Sequence, residues 1–208
     1  MSVVRFSSGF FVNLDFLTEE FIAQALRFPH QAPYTEKEIR ADHPLRLAGV
    51  LVPLIYQAGG WSLLYTRRAD GVGHHKGQVS FPGGASDPGE SAEQTALREA
   101  NEEIGIRPAD VRILGRLPQI VTISDYLVTP VVGVLPWPYA FRVYTPEVAR
   151  VFTLPLDWLA NRENFMKLVR SETGRHVIAY LPNDGEMLWG ATAHMTIEFL
   201  KILKILQE

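Results

Sequence analysis

Residues Gly84 to Ile106 read GASDPGESAEQTALREANEEIGI, and they carry the strongest structural signals of the chain. Pro88-Gly89 indicates a turn. Ser91 is suited to cap a helix, with Gln94 three residues later as in a capping box. Gly105 is placed to end the helix. Apolar residues recur between these limits at helical spacing: they are Ala92, Ala96, Leu97, Ala100 and Ile104. The segment therefore predicts a helix with one core face.

The same helix would carry a dense acidic face. Residues three and four apart are neighbours on a helix, so Glu99 would lie beside both Glu102 and Glu103. Like charges at this spacing repel, and a bound cation would remove the repulsion. Mg²⁺ and Mn²⁺ prefer oxygen ligands of this kind. Arg98 lies four residues before Glu102 and could brace the cluster, with Glu90 as its second partner. The alternative is a solvated acidic surface.

The spacing decides between these readings. The segment fits the pattern G-x5-E-x7-R-E-U-x-E-E-x-G-U, in which U is an aliphatic residue, and thus resembles the Nudix box. The first U position is Ala100, which is smaller than the family often uses. The chain is similar to Nudix hydrolases on this basis. The fixed positions are filled by Gly84, Glu90, Arg98, Glu99, Glu102, Glu103 and Gly105.

The resemblance implies a fold and a reaction. The fold would be an α/β/α sandwich with a mixed β-sheet. We expect residues 45–208 to form this domain and residues 1–44 to be an N-terminal extension with a short helix, which the box does not cover. The reaction would be metal-dependent cleavage of a diphosphate. Three glutamates, Glu99, Glu102 and Glu103, would bind Mg²⁺ or Mn²⁺, aided by a backbone carbonyl near Gly84. A further glutamate would act as ligand or base, with Glu147 as first candidate.

Glu186 is the second candidate for that role, and for both residues an ordinary surface carboxylate remains the alternative. A distant acid cannot be located from spacing alone, so the sequence leaves the general base open between the box and these two positions.

A second motif precedes the box. Residues 64–69, LYTRRA, and 75–84, HKGQVSFPGG, resemble the motif L-L-T-x-R-S-x3-R-x3-G-Q-V-x-F-P-G-G of the coenzyme A diphosphatase branch. Residues 122–133 and 189–193 also resemble that branch. Gly73 stands where the motif has its second arginine. A basic loop beside a metal site suits a ligand with several phosphates. The residues that we expect to bind substrate are Arg67, Arg68, His75, Lys76 and Gln78.

These motifs favour hydrolysis of coenzyme A or acyl-CoA to 3′,5′-ADP and a 4′-phosphopantetheine product. Because of Gly73, a Nudix hydrolase of ADP-ribose or of a dinucleotide stays open. A catalytically silent Nudix-fold binding module is the third reading, and the intact box argues against it.

The composition of the chain limits which partners and which chemistry the protein can have. The chain has 208 residues, a formal net charge of −3 and no cysteine. Such a charge does not attract nucleic acid or an anionic membrane, and disulfides and thiolate catalysis are excluded. No apolar run has the length of a membrane span. We expect a cytoplasmic protein acting on a small nucleotide. A C-terminal helix over residues 191–206, apolar on more than one face, permits a homodimer.

The remaining segments alternate between strand and helix patterns. Residues 48–56 and 61–66 predict a hairpin. Further strands are expected over 78–81, 111–117, 126–135, 152–156, 165–170 and 176–181, with short helices near residues 18–28 and 157–161.

Overall fold

A mixed β-sheet with helices on both faces forms the body of the protein. The computed structural model describes residues 14, 16–27, 45–70, 77–169 and 176–206. Its elements are, in chain order, α1 (Glu19–Leu26), β1 (Arg46–Gln57), β2 (Gly60–Arg68), β3 (Val79–Ser80), β4 (Gly83–Ala85), α2 (Ala92–Ile104), β5 (Arg112–Arg116), β6 (Ile120–Val121), β7 (Tyr126–Val134), β8 (Val148–Pro155), α3 (Leu156–Ala160), β9 (Phe165–Val169), β10 (His176–Tyr180) and α4 (Gly190–Ile202).

The main sheet has eight strands and follows the order β3-β2-β1-β7-β5. Strand β1 pairs parallel with β7 and antiparallel with β2 and β4, while β8 pairs antiparallel with the outer side of β2. The predicted hairpin is confirmed as β1–β2. Strands β9 and β10 form a separate two-stranded sheet. The mixed pairing confirms the predicted class of sheet.

Side chains of β1 alternate between two cores, because successive residues of a strand point to opposite faces. Val52 and Leu54 join the core that contains residues of α1, α3 and α4. Leu51 and Ile55 join the core beneath α2, which includes Ala96, Ala100 and Ile104 of the predicted stripe. Helices thus cover both faces, and the predicted α/β/α sandwich is confirmed.

Strand β4 was not expected, since Gly83 and Gly84 read as turn residues. Their backbone pairs with residues 48–50 of β1. A Cβ built on Gly83 would lie 2.5 Å from the carbonyl oxygen of Gly49, so the two backbones approach more closely than a side chain allows. This close approach is a tertiary contact that local turn signals do not reveal.

The C-terminal helix ends at Ile202, earlier than predicted. Leu203 and Ile205 remain buried although they lie beyond the helix, and Lys204 between them adopts a left-handed backbone with φ of 56°. The apolar pattern therefore marks burial rather than helix in this segment. The breadth of the pattern is explained within the chain, since Ile197, Phe199 and neighbouring residues pack into the core. The homodimer stays a prediction.

The helix near the N-terminus packs on the main domain. Thr18 caps α1 by accepting a hydrogen bond from the amide of Phe21 at 3.2 Å. Ile22 and Leu26 of this helix are buried in the same core as the sheet. In the described part of the chain, every helix falls short of the length and apolar character that a membrane span requires.

Helix α2 begins with the predicted capping box. The amide of Gln94 donates to Oγ of Ser91 at 3.2 Å, and the amide of Ser91 donates to Oε1 of Gln94 at 2.8 Å. Gly105 ends the helix with φ of 72°, in the left-handed region that favours glycine. Both ends of the helix are therefore fixed by residues that the sequence identifies.

Replacing Ser91 by Ala should lower the free energy of unfolding by about 1 kcal/mol, because one amide of the first turn loses its acceptor. Urea unfolding monitored by circular dichroism measures this loss. Ser124→Ala, at an exposed serine outside any helix, is the matched control. Equal midpoints for the two variants would show that the cap contributes nothing.

Candidate metal and diphosphate site

The acidic face of α2 lies against the backbone of β4. A Cβ built on Gly84 would lie 2.5 Å from Cδ of Glu99 and 2.6 Å and 2.7 Å from its two carboxylate oxygens. Only glycine leaves room for the Glu99 carboxylate at this place. Gly84 and Glu99 thus pack directly against each other, which explains why the box needs both residues.

Arg98 braces this structure as predicted. Its guanidinium donates to Glu90 at 2.8 Å and 3.0 Å, to Oε1 of Glu99 at 2.7 Å, and to the carbonyl oxygen of Ala85 at 3.0 Å. A longer bond of 3.2 Å reaches Glu102. The hydrogen bonds from Arg98 lower the pKa of Glu90 to about 2. Arg98 therefore fixes the helix, the β4 loop and Glu99 relative to one another.

Glu103 is the most buried member of the cluster, with 5% of its surface exposed. Its Oε2 is buried and has no hydrogen-bond partner. Burial raises the pKa of this carboxyl to about 8, although the charge of Arg68 opposes the rise. Buried carboxylates normally have their partners in place, so an orphan oxygen indicates a site for an external cation.

Glu147 lies near the same carboxylates. The pKa of Glu99 is raised mainly by burial, and the charge of Glu147 contributes to the rise at both Glu99 and Glu103. The main chain holds Glu147 in place, since its amide donates to Tyr144 at 3.0 Å and its carbonyl accepts from Ala69 at 2.8 Å. Sequence spacing could not show this proximity, which arises where the chain enters β8.

Glu102 is the most exposed of the three glutamates. Its side chain is 58% exposed and contacts Arg98. Accordingly, nowhere in the described residues do three or more His, Cys, Asp or Glu side chains converge closely enough to hold a metal ion. The role of Glu102 as a metal ligand stays a prediction, as do the ligand roles of Glu99, Glu103 and Gly84.

The residues present nevertheless fit a hard divalent cation. The orphan Oε2 of Glu103 and the Glu99 carboxylate set against Gly84 supply oxygen donors. Mg²⁺ and Mn²⁺ prefer such donors, and Mg²⁺ typically keeps several waters rather than requiring a complete protein cage.

One substrate-binding candidate, Arg68, lies at this site, and a second, Gln78, is joined to it through the main chain. Nη1 of Arg68 is 3.9 Å from Oε1 of Glu103, so the arginine of the upstream motif faces the box. The amide of Arg68 donates to the carbonyl oxygen of Gln78 at 2.9 Å, which joins the two ends of the motif across β2 and β3. The structure thus brings both motifs together. Three positions of the upstream motif, Gly73, His75 and Lys76, lie outside the described residues.

Arg67 has a different environment from Arg68. Its guanidinium lies 3.4 Å from Asp70 and 3.7 Å from Glu186. Glu186 also pairs with Arg150 at 3.3 Å. The second candidate for the distant acid is therefore engaged by two arginines. Arg150 was not selected from the sequence, because nothing distinguishes it locally; only the pairing of β8 with β2 sets it opposite Arg67.

Comparison with known proteins agrees with this geometry. A family model described as NUDIX domain matches residues 45–173. The chain is 38% identical over 180 residues to a protein of Pectobacterium atrosepticum named uncharacterized Nudix hydrolase NudL, covering 86% of this chain and 90% of the relative. A protein of the same name from Yersinia pestis is 36% identical over 186 residues, covering 86% and 93%.

A solved structure supports the fold alone. The MutT/nudix family protein from Enterococcus faecalis aligns with a TM-score of 0.52 at 16% identity, covering 86% of this chain and 71% of that protein. The sequence match and the shared fold lead to one conclusion. This chain belongs to the Nudix hydrolase family, whose members hydrolyse compounds with nucleoside diphosphate linkages.

Proposed function

We propose that this protein hydrolyses the diphosphate bond of coenzyme A or acyl-CoA with Mg²⁺ or Mn²⁺, giving 3′,5′-ADP and (acyl-)4′-phosphopantetheine. The observation that carries this proposal is the meeting of the two motifs. Arg68, from the motif that resembles the coenzyme A branch, faces Glu103 of the box at 3.9 Å. A guanidinium beside the metal-binding carboxylates is suited to contact the diphosphate of a bound substrate.

In this proposal Glu99 and Glu103 hold the metal, with the main chain near Gly84 and with Glu102 as a further ligand. A divalent cation, when bound, supplies charge neutralisation on nonbridging oxygens and lowers the pKa of a water molecule. Arg98 keeps Glu99 against β4 through its 2.7 Å hydrogen bond.

Glu147 is our candidate for the general base. Its charge acts on both Glu99 and Glu103, which supports a position close to the cluster. It would take a proton from the attacking water as the new phosphorus–oxygen bond forms. The bridging phosphorus–oxygen bond then breaks, and the second phosphate leaves with the electron pair.

The basic segment before the box would bind the rest of the substrate. Arg67, Arg68 and Gln78, together with His75 and Lys76, are the residues that we assign to phosphate contacts. Coenzyme A carries a 3′-phosphate in addition to its diphosphate, so several cationic groups suit it. Gly73 replaces one arginine of the motif, which removes one cationic group that could contact the 3′-phosphate. Compounds without a 3′-phosphate are therefore needed as alternative substrates in the test.

The proposal is tested by incubating the full-length protein with a panel of diphosphates, each with Mg²⁺ and with Mn²⁺, and separating the products by chromatography. The panel contains coenzyme A, acetyl-CoA, ADP-ribose and a diadenosine polyphosphate. We expect coenzyme A and acetyl-CoA to be hydrolysed fastest, giving 3′,5′-ADP and phosphopantetheine products. Faster turnover of ADP-ribose or the dinucleotide would contradict the assignment to coenzyme A. The absence of turnover with every compound would favour a silent binding module.

Mn²⁺ should stabilise the protein, because it neutralises carboxylates that are buried in the folded state. At about 100 times its dissociation constant, a ligand specific for the folded state adds about 2.7 kcal/mol. Thermal unfolding with Mn²⁺ and with excess EDTA measures the difference. Identical melting temperatures in the two conditions would contradict a metal site at these residues.

A further inference from the structure

A cleft lies along the outer edge of β8, separate from the box carboxylates. It has a volume of about 470 Å³, which lies within the usual range of small-molecule sites. Its lining includes the aromatic residues Trp137, Tyr139 and Phe141 and, from β8, Arg150, Phe152 and Thr153. None of the roles assigned above uses this cleft.

The lining suits a flat heteroaromatic ring. The rings of Trp137 and Tyr139 lie 6.2 Å and 5.3 Å from that of Phe141, and Trp137 remains 38% exposed. The guanidinium of Arg150 lies 5.5 Å from the ring centroid of Phe152, so the lining also contains a flat arginine plane. Aromatic rings and arginine planes are the usual stacking partners of nucleobases.

Strand β8 adds hydrogen-bonding groups to this surface. Within the described ranges of the chain, β2 is the one strand that pairs with β8, so the other edge of β8 faces the cleft. Peptide donors and acceptors on that edge match the ring nitrogens and amino group of a base such as adenine. Arg150 is already neutralised by Asp184 and Glu186, so its role here is stacking rather than phosphate binding.

One short segment of chain, residues 141–148, runs from the cleft to the acidic cluster. After Phe141, the amide of Arg142 donates to Ile104 at 3.0 Å and that of Tyr144 donates to the carbonyl oxygen of Glu103 at 2.8 Å. The segment then reaches Glu147 and enters β8, where Val148 pairs with Arg68. We expect the nucleoside of a substrate whose diphosphate lies at the box to extend along this segment.

We propose that the cleft binds the nucleobase of the substrate, which is adenine in coenzyme A. This inference rests on the proposed function for the identity of the nucleotide, and it makes Trp137 a specificity-determining residue. An aromatic cleft beside a free strand edge could also accept a strand of a second copy of the chain, and the experiment separates the two occupants.

The test is calorimetric titration of the full-length protein with Mg²⁺ and either 3′,5′-ADP or 4′-phosphopantetheine. Trp137→Ala should weaken binding of 3′,5′-ADP about tenfold, because base stacking is lost, and leave 4′-phosphopantetheine unaffected. Trp137→Phe, which keeps a ring, should retain most of the affinity. Tyr56→Ala, at an aromatic residue that is 55% exposed outside the cleft, is the matched control and should behave as wild type.

Several outcomes would overturn the assignment. They are equal weakening of both ligands, unchanged binding in Trp137→Ala, or no binding of 3′,5′-ADP by the wild type. A change of sedimentation coefficient in Trp137→Ala would instead identify the cleft as a contact between copies. If the wild type binds 3′,5′-ADP through Trp137 but does not hydrolyse coenzyme A, the cleft assignment stands and the proposed function fails.

Discussion

Glu103→Gln should lower kcat by about 10³-fold, equivalent to about 4 kcal/mol of transition-state stabilisation. Glutamine keeps the size of the side chain but removes the negative charge that a metal ligand needs. The fold should survive, because Glu103 is a buried carboxylate whose Oε2 has no hydrogen-bond partner. In EDTA, we therefore expect the variant to melt no lower than the wild type. Steady-state kinetics and thermal unfolding measure the two effects.

Glu93→Gln is the matched control for this experiment. Glu93 lies on the same helix, but it pairs with Arg116 away from β4. The control should keep its activity and lose no more than the small contribution of one exposed ion pair. Stabilisation by Mn²⁺ should persist in the control and disappear in Glu103→Gln. Near-normal turnover in Glu103→Gln would contradict the assignment of Glu103 as a metal ligand.

Gly84→Ala should lower turnover by about 10²-fold, because a methyl group at this position displaces the Glu99 carboxylate by a distance comparable to 1 Å. The added Cβ would lie 2.5 Å from Cδ of Glu99. Since the clash is with the far end of a flexible side chain, the fold should tolerate it. We expect weaker Mn²⁺ binding by titration calorimetry with only a small change in melting temperature.

Gly83→Ala provides the contrast one residue earlier. Its Cβ would lie 2.5 Å from the carbonyl oxygen of Gly49 and 2.6 Å from Cα of Val50, both of which are backbone atoms of β1. This variant should be destabilised with or without metal, because a paired strand must move. If Gly84→Ala instead unfolds as easily as Gly83→Ala, the glycine serves backbone packing and not the metal site.

The central helix was predictable because its signals are local. Ser91, Gln94 and Gly105 act within one or two turns of the chain, and each is found in its expected role. The contacts of Arg98 with Glu90 and Glu102 were also predictable, since these partners lie at the helix entrance and four residues further along the helix. Such contacts depend on few residues, so the sequence pattern is nearly sufficient to predict them. The contact of Arg98 with the carbonyl oxygen of Ala85 in β4 was not predictable.

The long-range contacts of the site were not predictable in this way. The strand pairing of β4 with β1 depends on the approach of two backbones. The contact of Arg68 with Glu103 depends on how β2 and α2 are stacked. Glu147 was identified as a candidate acid from the sequence, but only the turn before β8 brings it beside Glu99. Each of these depends on packing between segments that are distant in the sequence.

An internal competition assay tests the proposed function most directly. Coenzyme A and ADP-ribose are mixed at equal concentration with the wild-type protein and Mg²⁺, and both are followed by mass spectrometry. The ratio of their consumption rates equals the ratio of kcat/KM. We predict that coenzyme A is consumed at least about tenfold faster, as one additional phosphate contact would provide. Preferential consumption of ADP-ribose would contradict the assignment to coenzyme A.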